Sequence, residues 1–409
     1  MSARLTSSLL CLAICLLLVA GCLIVAPGAV TGDDKKPKRP KLGSSLKRLR
    51  WNQATQSTVE GKRESKSESS PKTDEPIKLE TLLVVFDLLV VTRGTQQVVT
   101  GLKKEDFIIT EDGKPEQVST FALGDDAERP RSIVLILDYS GSQEPYLETS
   151  IEAARSLVGK LGPLDEMAIL TDDVEMLIDF TSDKAKLSAA LDKIRKRVFD
   201  KKEQGKSLQF TTLFAALREL IDDKGTRTII IFQTDGDEAP AFRDQPDAER
   251  FAYLRREMPS PQYGLSDIYS AAEKSRATIY SVITNDRLIG IPSSEFQQRA
   301  VQLLAKRGFL RPDEDPAPKE YRAKLYTEIF MRGQLATVRV ASLTGGWTAW
   351  LENPYQAAQI YSQILSDINN RYVIGYYPTD AARDGKVRNV TIEVKGHPEY
   401  KVHGRSTWR

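Results

Sequence analysis

Short apolar runs and helical stripes alternate through the middle of the chain. Ile133-Val134-Leu135-Ile136-Leu137 and Thr228-Ile229-Ile230-Ile231-Phe232 are apolar at nearly every position, the pattern of strands buried on both faces of a sheet. Leu147, Ile151, Ala154, Val158 and Leu161 recur at helical spacing over 146–161. A second stripe, Leu187, Leu191 and Ile194, follows the capping groups Thr181-Ser182-Asp183. Leu213, Leu217 and Leu220 share one face of a third helix. Met167–Leu170 and Met176–Phe180 read as a strand pair, and Ala277–Ile283 as a further buried strand. Strands interleaved with helices predict an α/β unit.

Both flanks of that unit read as β. Leu82–Val91, Phe107–Thr110 and Gln117–Phe121 precede it, with Glu111-Asp112-Gly113-Lys114 as a hairpin turn. Arg371–Tyr377, Val387–Lys395 and Tyr400–Thr407 follow it. A lone hairpin is barely stable in water, and the ends of a domain often lie close together. The two flanks are therefore expected to pair as one small β-domain into which the α/β unit is inserted. Phe296–Gly308 and Tyr321–Phe330 look helical, joined by the Pro-rich stretch Arg311–Pro318, and read as a helical insertion at about 286–335. Asn353-Pro354 starts a last helix, with Ala357, Tyr361, Ile364, Leu365 and Ile368 on one face.

The N-terminal part is different in kind. Leu9 to Val25 is almost wholly apolar, so residues 1–30 read as a secretion signal or a single membrane anchor. Val19-Ala20-Gly21-Cys22 resembles a bacterial lipobox, which would make Cys22 a lipidated first residue; cleavage after Ala29, or none, is the alternative. Residues 31–78 are rich in Lys, Ser, Glu and Pro and read as a disordered tether. Its basic cluster, Lys35 to Lys41, is of the kind that tends to stay cytoplasmic. The expected division is thus 1–30, 31–78, a β segment at 79–128, the α/β domain at 129–370 and a β segment at 371–409.

Charge narrows the function. Lys and Arg total 58 against 56 Asp and Glu, intermixed along the chain, so no global field favours nucleic acid. Cys11, Cys15 and Cys22 all lie in the apolar leader, leaving the folded body without a disulfide, a thiol nucleophile or a cysteine metal cage. The only histidines, His397 and His403, lie near the C-terminus, which argues against a Ser-His-Asp arrangement. Gly205-Lys206-Ser207 lacks the upstream glycine of a phosphate loop, since Asp200 stands there, and Tyr139-Ser140-Gly141 lacks the glycine of a nucleophile elbow. A binding protein is expected, not an enzyme.

The chemistry concentrates where the buried strands end. Asp138, Ser140 and Ser142 recur at every second residue after the first strand, so their oxygens converge in extended backbone. Asp235 follows the second strand, and Thr211 begins the helix that precedes it. In open α/β sheets ligands bind at the carboxyl ends of parallel strands. Hard oxygen donors suit Mg²⁺, Mn²⁺ or Ca²⁺ rather than zinc. Two carboxylates balance one divalent ion, and an unfilled coordination position there can accept a carboxylate from another molecule.

This pattern resembles the metal ion-dependent adhesion site of von Willebrand factor type A domains. The Asp-x-Ser-x-Ser motif lies on Asp138, Ser140 and Ser142; the family threonine, usually preceded by glycine, falls on Thr211 behind Phe210; the Thr-Asp-Gly segment falls on Thr234, Asp235 and Gly236. Gly101–Phe107, Glu111-Asp112-Gly113-Lys114, Thr344-Gly345-Gly346 and Tyr372–Pro378 look like flanking signatures of a bacterial "VWFA-related" group, best known from acidobacteria. The resemblance implies a three-layer, doubly wound, Rossmann-like fold. It implies Ser140 and Ser142 as direct metal ligands, with Asp138, Thr211 and Asp235 bound directly or through water. It also implies an extracytoplasmic protein, membrane-anchored, periplasmic or secreted, gripping a partner's acidic side chain. A cytoplasm-facing partner of a ring ATPase is the alternative, and a metal-assisted hydrolase using Asp172, Asp173 or Asp237 as base a remote one.

Overall fold

The computed structural model describes residues 39, 41–61, 83–124, 130–221, 227–238, 240–245, 259–306, 308, 316–380 and 386–408. The chain divides into Met1–Pro40 and Lys41–Arg409, and every described helix and strand lies in the second unit. The expected signal or anchor over residues 1–30, with Cys22, lies outside the described residues. Among those that are described, no helix is long and apolar enough to cross a membrane.

Part of the stretch expected to be a disordered tether is folded. Leu49–Asn52 (β1) and Ser57–Glu60 (β2) form an antiparallel hairpin. Leu42, Leu46 and Leu49 are buried in the same core as Phe214 and Leu217. The Glu219 carboxylate accepts the N–H groups of Gly43 at 2.9 Å and Ser45 at 2.8 Å. Composition misleads here because three leucines in a polar segment acquire a core only from a partner far along the chain.

The sandwich strands before the α/β unit are β3 (Val84–Thr92), β4 (Phe107–Glu111), β5 (Lys114–Glu116) and β6 (Val118–Leu123). The unit itself opens with β7 (Arg131–Leu137), α1 (Glu144–Gly159), β8 (Glu166–Thr171), β9 (Glu175–Thr181) and α2 (Lys184–Arg195). It continues through α3 (Gln209–Glu219), β10 (Arg227–Thr234), α4 (Leu265–Lys274) and β11 (Thr278–Thr284). Helices α5 (Ser293–Lys306) and α6 (Pro316–Leu343), strand β12 (Thr348–Leu351) and α7 (Ala357–Asn369) complete it. The chain then returns to the sandwich with β13 (Tyr372–Tyr376), β14 (Arg388–Val394), β15 (Tyr400–His403) and β16 (Thr407–Trp408).

The central sheet runs β12-β11-β10-β7-β8-β9. Its pairs are parallel apart from β8 with β9 at one edge. Alternate residues of β7 explain the continuous apolar run: Ile133, Leu135 and Leu137 face α1, α2 and α7, while Val134 and Ile136 face α3, α4 and α6. Full burial of each such side chain is worth about 1.5–3 kcal/mol. The result is a three-layer, doubly wound α/β fold, with the strand order reversing between β7 and β10.

The expected insertion at 286–335 divides into decoration and layer. Helix α5 forms a small cluster with Leu288 and Phe330. Helix α6, by contrast, runs to Leu343 and packs Ala336 and Val340 on the sheet, as the crossover from β11 to β12. Periodicity hides it because polar residues are buried on the same helix. Thr337 donates to the Gly333 carbonyl at 2.8 Å, and the Gln334 amide bonds the Leu288 N–H and the Asp286 carbonyl, both at 2.9 Å.

The flanking strands interleave. Two four-stranded sheets, β15-β3-β13-β6 and β16-β14-β4-β5, are antiparallel throughout and share one core containing Phe86, Leu88, Phe107, Ile109, Ile374, Tyr376, Val390 and Val394. Removing residues 378–409 takes away β14, the partner of β4, and opens this core. Hydrogen exchange at Phe107–Phe121 should then accelerate by orders of magnitude; unchanged exchange would show that the N-terminal strands stand alone.

A buried guanidinium joins the sandwich to the α/β unit. Arg371 donates to the Asp87 carboxylate (2.8 Å), the Tyr280 hydroxyl (3.0 Å) and the Gly345 carbonyl (2.6 Å), and lies 3.4 Å from Asp367. Arg227 also pairs with Asp87 at 2.5 Å. Burial by itself pushes the Asp87 carboxyl up, but the two arginines outweigh it and hold the group below its usual value.

Candidate metal centre

Asp138 follows β7 and is fully buried. Its Oδ1 accepts the Ser140 N–H at 2.9 Å, and its Oδ2 accepts the Thr234 hydroxyl at 3.2 Å. The hydroxyl oxygens of Ser140 and Ser142 are 3.3 Å apart. Ser142 donates to Asp235 Oδ2 at 2.6 Å. The structure therefore brings Asp138, Ser140, Ser142 and Asp235 together at the carboxyl ends of β7 and β10, where the strand order reverses.

Thr211 is engaged elsewhere. It sits in the first turn of α3, where its N–H (3.2 Å) and hydroxyl (2.7 Å) donate to Glu238, while the Tyr263 hydroxyl donates to it at 2.9 Å. Glu238 also accepts the Phe210 N–H at 2.6 Å, so one carboxylate satisfies the helix's first exposed donors. Phe210 stands where the family usually has glycine. Its ring packs against Phe232 and Phe242, with centroids 5.5 and 6.3 Å away, which accounts for a large side chain at that position.

Three further polar residues shape the centre. Gln143, fully buried, donates to Asp235 at 3.0 Å and accepts from Thr284 at 2.9 Å, tying the motif loop to β10 and β11. Asp172, named from the sequence only as a base for the remote hydrolase alternative, is buried at the end of β8. It accepts the N–H groups of Tyr139 at 3.1 Å and Ser207 at 2.7 Å. A side chain at Gly205 would collide with this carboxylate, so the 201–208 loop closes over it only with glycine there. Glu238 is the third. Asp172 shows the same signal as Asp138, a carboxylate where an apolar strand ends, and was legible on that ground. Gln143 carries no such signal.

The electrostatics call for a cation. Burial, and then the charges of Asp172 and Asp235, hold the Asp138 carboxyl well above its ordinary range. Burial pushes Asp172 up to about 7 and Glu238 up to about 8, against the N–H groups that each accepts. Among the described residues no Lys or Arg pairs with Asp138 or Asp172. Nor do three carboxylate or imidazole side chains converge closely enough to hold an ion alone, so the serine hydroxyls are needed as donors. Carboxylate and hydroxyl oxygens without a counter-charge fit a hard divalent ion.

The backbone of Thr-Asp-Gly is held from the far side. Gly236 adopts φ +79°, and a Cβ there would lie 2.6 Å from the Gly333 carbonyl carbon on α6. The two glycines let helix α6 and the Asp235 loop touch main chain to main chain.

Residues 133–238 match the sequence model of the von Willebrand factor type A domain. No curated protein matches the chain. Among solved structures, a conserved hypothetical protein BatB from Bacteroides thetaiotaomicron is 16% identical, with a TM-score of 0.35 over 58% of this chain and 98% of that one. The vWF domain of the type V pili tip protein Mfa5 from Porphyromonas gingivalis is 12% identical, with a TM-score of 0.35 over 59% and 95%. The manganese-loaded Plasmodium vivax TRAP protein is 12% identical, with a TM-score of 0.30 over 74% and 98%. The matched span runs from the first strand of the sheet to just past the second site carboxylate, and the chain carries a von Willebrand factor type A domain.

Proposed function

We propose that this protein is a divalent-cation-dependent binding module, held outside the cytoplasm by its N-terminal segment, that engages an acidic side chain of a protein partner. The observation that carries this reading is the buried group Asp138, Asp172 and Asp235, set beside the Ser140 and Ser142 hydroxyls at the switch point of the sheet. Ser140, Ser142, Asp138 and Asp235 would hold Mg²⁺, with Mn²⁺ or Ca²⁺ as substitutes, and Thr211 would join them on release from Glu238. A cation there supplies a Lewis-acidic position that a partner carboxylate can occupy. Gln143 and Asp172 keep the motif loop in place, the first through Asp235 and the second through the Tyr139 amide. Asp173 accepts hydroxyl hydrogens from Tyr139 and Thr171, which anchors it to the same sheet edge.

The test is a pull-down with the soluble part, with Mg²⁺ and with chelator. A partner retained in Mg²⁺ and released by chelator is expected; identical capture in both would refute the reading. Protease added to intact spheroplasts should release the 41–409 unit by cutting near the anchor. Full protection until lysis would favour the cytoplasmic, ATPase-partner reading instead.

A further inference from the structure

At the end of the sheet away from the carboxylate cluster, two cavities of about 300 and 330 Å³ lie where the sandwich meets the amino ends of β7, β10 and β11. They share Val85, Arg276 and Arg405 and so adjoin along these side chains, the first of them being the cleft that also holds Leu123. The seven residues of β7 separate it from Asp138, roughly 20 Å at the rise of a strand.

The cleft has more cations than its own acids use. Arg131 is paired with Asp165, and Asp87 is taken up by Arg227 and Arg371. Arg405 donates to the carbonyls of Glu273 (3.0 Å), Ala277 (3.1 Å) and Ala272 (3.4 Å), at and beyond the end of α4, and among the described residues to no carboxylate. Arg276 and Lys274 are exposed and, among the described residues, form no ion pair. Glu273 is the lining acid left to face them. Burial pulls the Arg405 guanidinium down to about 10, against the charges of Asp87 and Glu273 and with that of Arg276. This is a cation short of a counter-ion.

The remaining wall is apolar and open. Val85 is 46% exposed and Leu123 45%, with Val373 beside them, and Val387 and Trp408 line the second cavity. Guanidinium groups match a carboxylate through paired N–H donors, and a volume near 300 Å³ suits a small molecule. We propose that this cleft binds a small amphipathic carboxylate, its charged end held by Arg276 and Arg405 and its hydrocarbon body lying on Val85 and Leu123.

The experiment is a calorimetric titration of the full chain with sodium octanoate. It is run in chelator, so that no metal-held carboxylate contributes and the result is independent of the function proposed for Asp138. Saturable binding is expected, weaker by about tenfold or more in Arg276→Glu and in Leu123→Asp. Octanol should bind the wild type at least as poorly as octanoate binds the variants. Both substituted side chains are solvent-exposed, and an unchanged Tm verifies that each variant is folded. Wild-type octanoate affinity in either variant, octanol as tight as octanoate, or no saturable binding at millimolar concentration would each overturn the proposal.

Discussion

Asp138→Asn should move the metal-free and the metal-loaded protein in opposite directions. Asparagine keeps the oxygen that accepts the Ser140 N–H but removes a buried charge that Asp172 and Asp235 oppose. The metal-free variant should therefore melt at a higher temperature than the wild type. The rise in Tm on adding Mg²⁺ should vanish, because the ion then faces one directly placed carboxylate where two are needed. For the wild type that rise corresponds to about 2.7 kcal/mol when the ion is at 100 times its Kd.

The pH dependence follows from the same groups. Asp172 has a folded pKa of about 7, above its ordinary value of 3.8. The folded state therefore binds more protons than the unfolded chain between those two values. Stability of the metal-free protein should fall as pH rises through that window, with the loss complete above about pH 7. Mg²⁺ should flatten or reverse the slope, since a cation held beside Asp138 favours the ionised forms of Asp138 and of the neighbouring Asp172. Scanning calorimetry from acid to neutral pH, with and without Mg²⁺, reads all of this. A variant whose Mg²⁺ response equals that of the wild type would remove Asp138 from the site.

Arg371→Leu should cost about 3–5 kcal/mol of stability, because it strands buried carboxylates instead of replacing a complete pair. Asp367 is almost fully buried, and Asp87 would keep only Arg227. The Gly345 carbonyl and the Tyr280 hydroxyl also lose their donor. Arg371→Lys should recover only part of the loss, since one ammonium cannot reach acceptors set around a planar guanidinium. Urea unfolding monitored on the sandwich and the α/β unit together measures the effect. Both should weaken, because Asp87 belongs to β3, Tyr280 to β11 and Asp367 to α7. A loss below about 1 kcal/mol, in the range of an exposed ion pair, would show that the junction is not held by this residue.

The sheet and its helices were legible because their signals are local. An apolar run such as Ile133–Leu137 can be satisfied only with cover on both faces, and a stripe such as Leu147-Ile151-Ala154-Val158 only with cover on one. The same locality placed Asp138 and Asp235 at strand ends, but the extended backbone expected to align Ser140 and Ser142 stops at Ser140: Ser142 lies in a 3₁₀ turn over Gly141–Gln143, which carries its hydroxyl to Asp235. What the chain could not show locally was decided by distant partners. Leu42, Leu46 and Leu49 lie in a polar stretch and become core only because α3 offers an apolar face and the Glu219 carboxylate. The hydrophobic period cuts helix α6 short because Thr327, Gln334 and Thr337 are polar residues that the fold buries; Thr337 bonds the Gly333 carbonyl of its own helix, and Gln334 finds its partners, Leu288 and Asp286, only on a distant segment. The threonine read as a metal ligand donates to Glu238, whose carboxylate caps α3 from the loop after β10. Asp172, although it ends an apolar strand, joins the carboxylate group only through the packing of β8 beside β7. Local hydrophobic period thus determined which elements form and which oxygens reach the sheet's edge; the tertiary structure alone decided which buried charges meet, since like charges come together only where the surrounding packing can hold them.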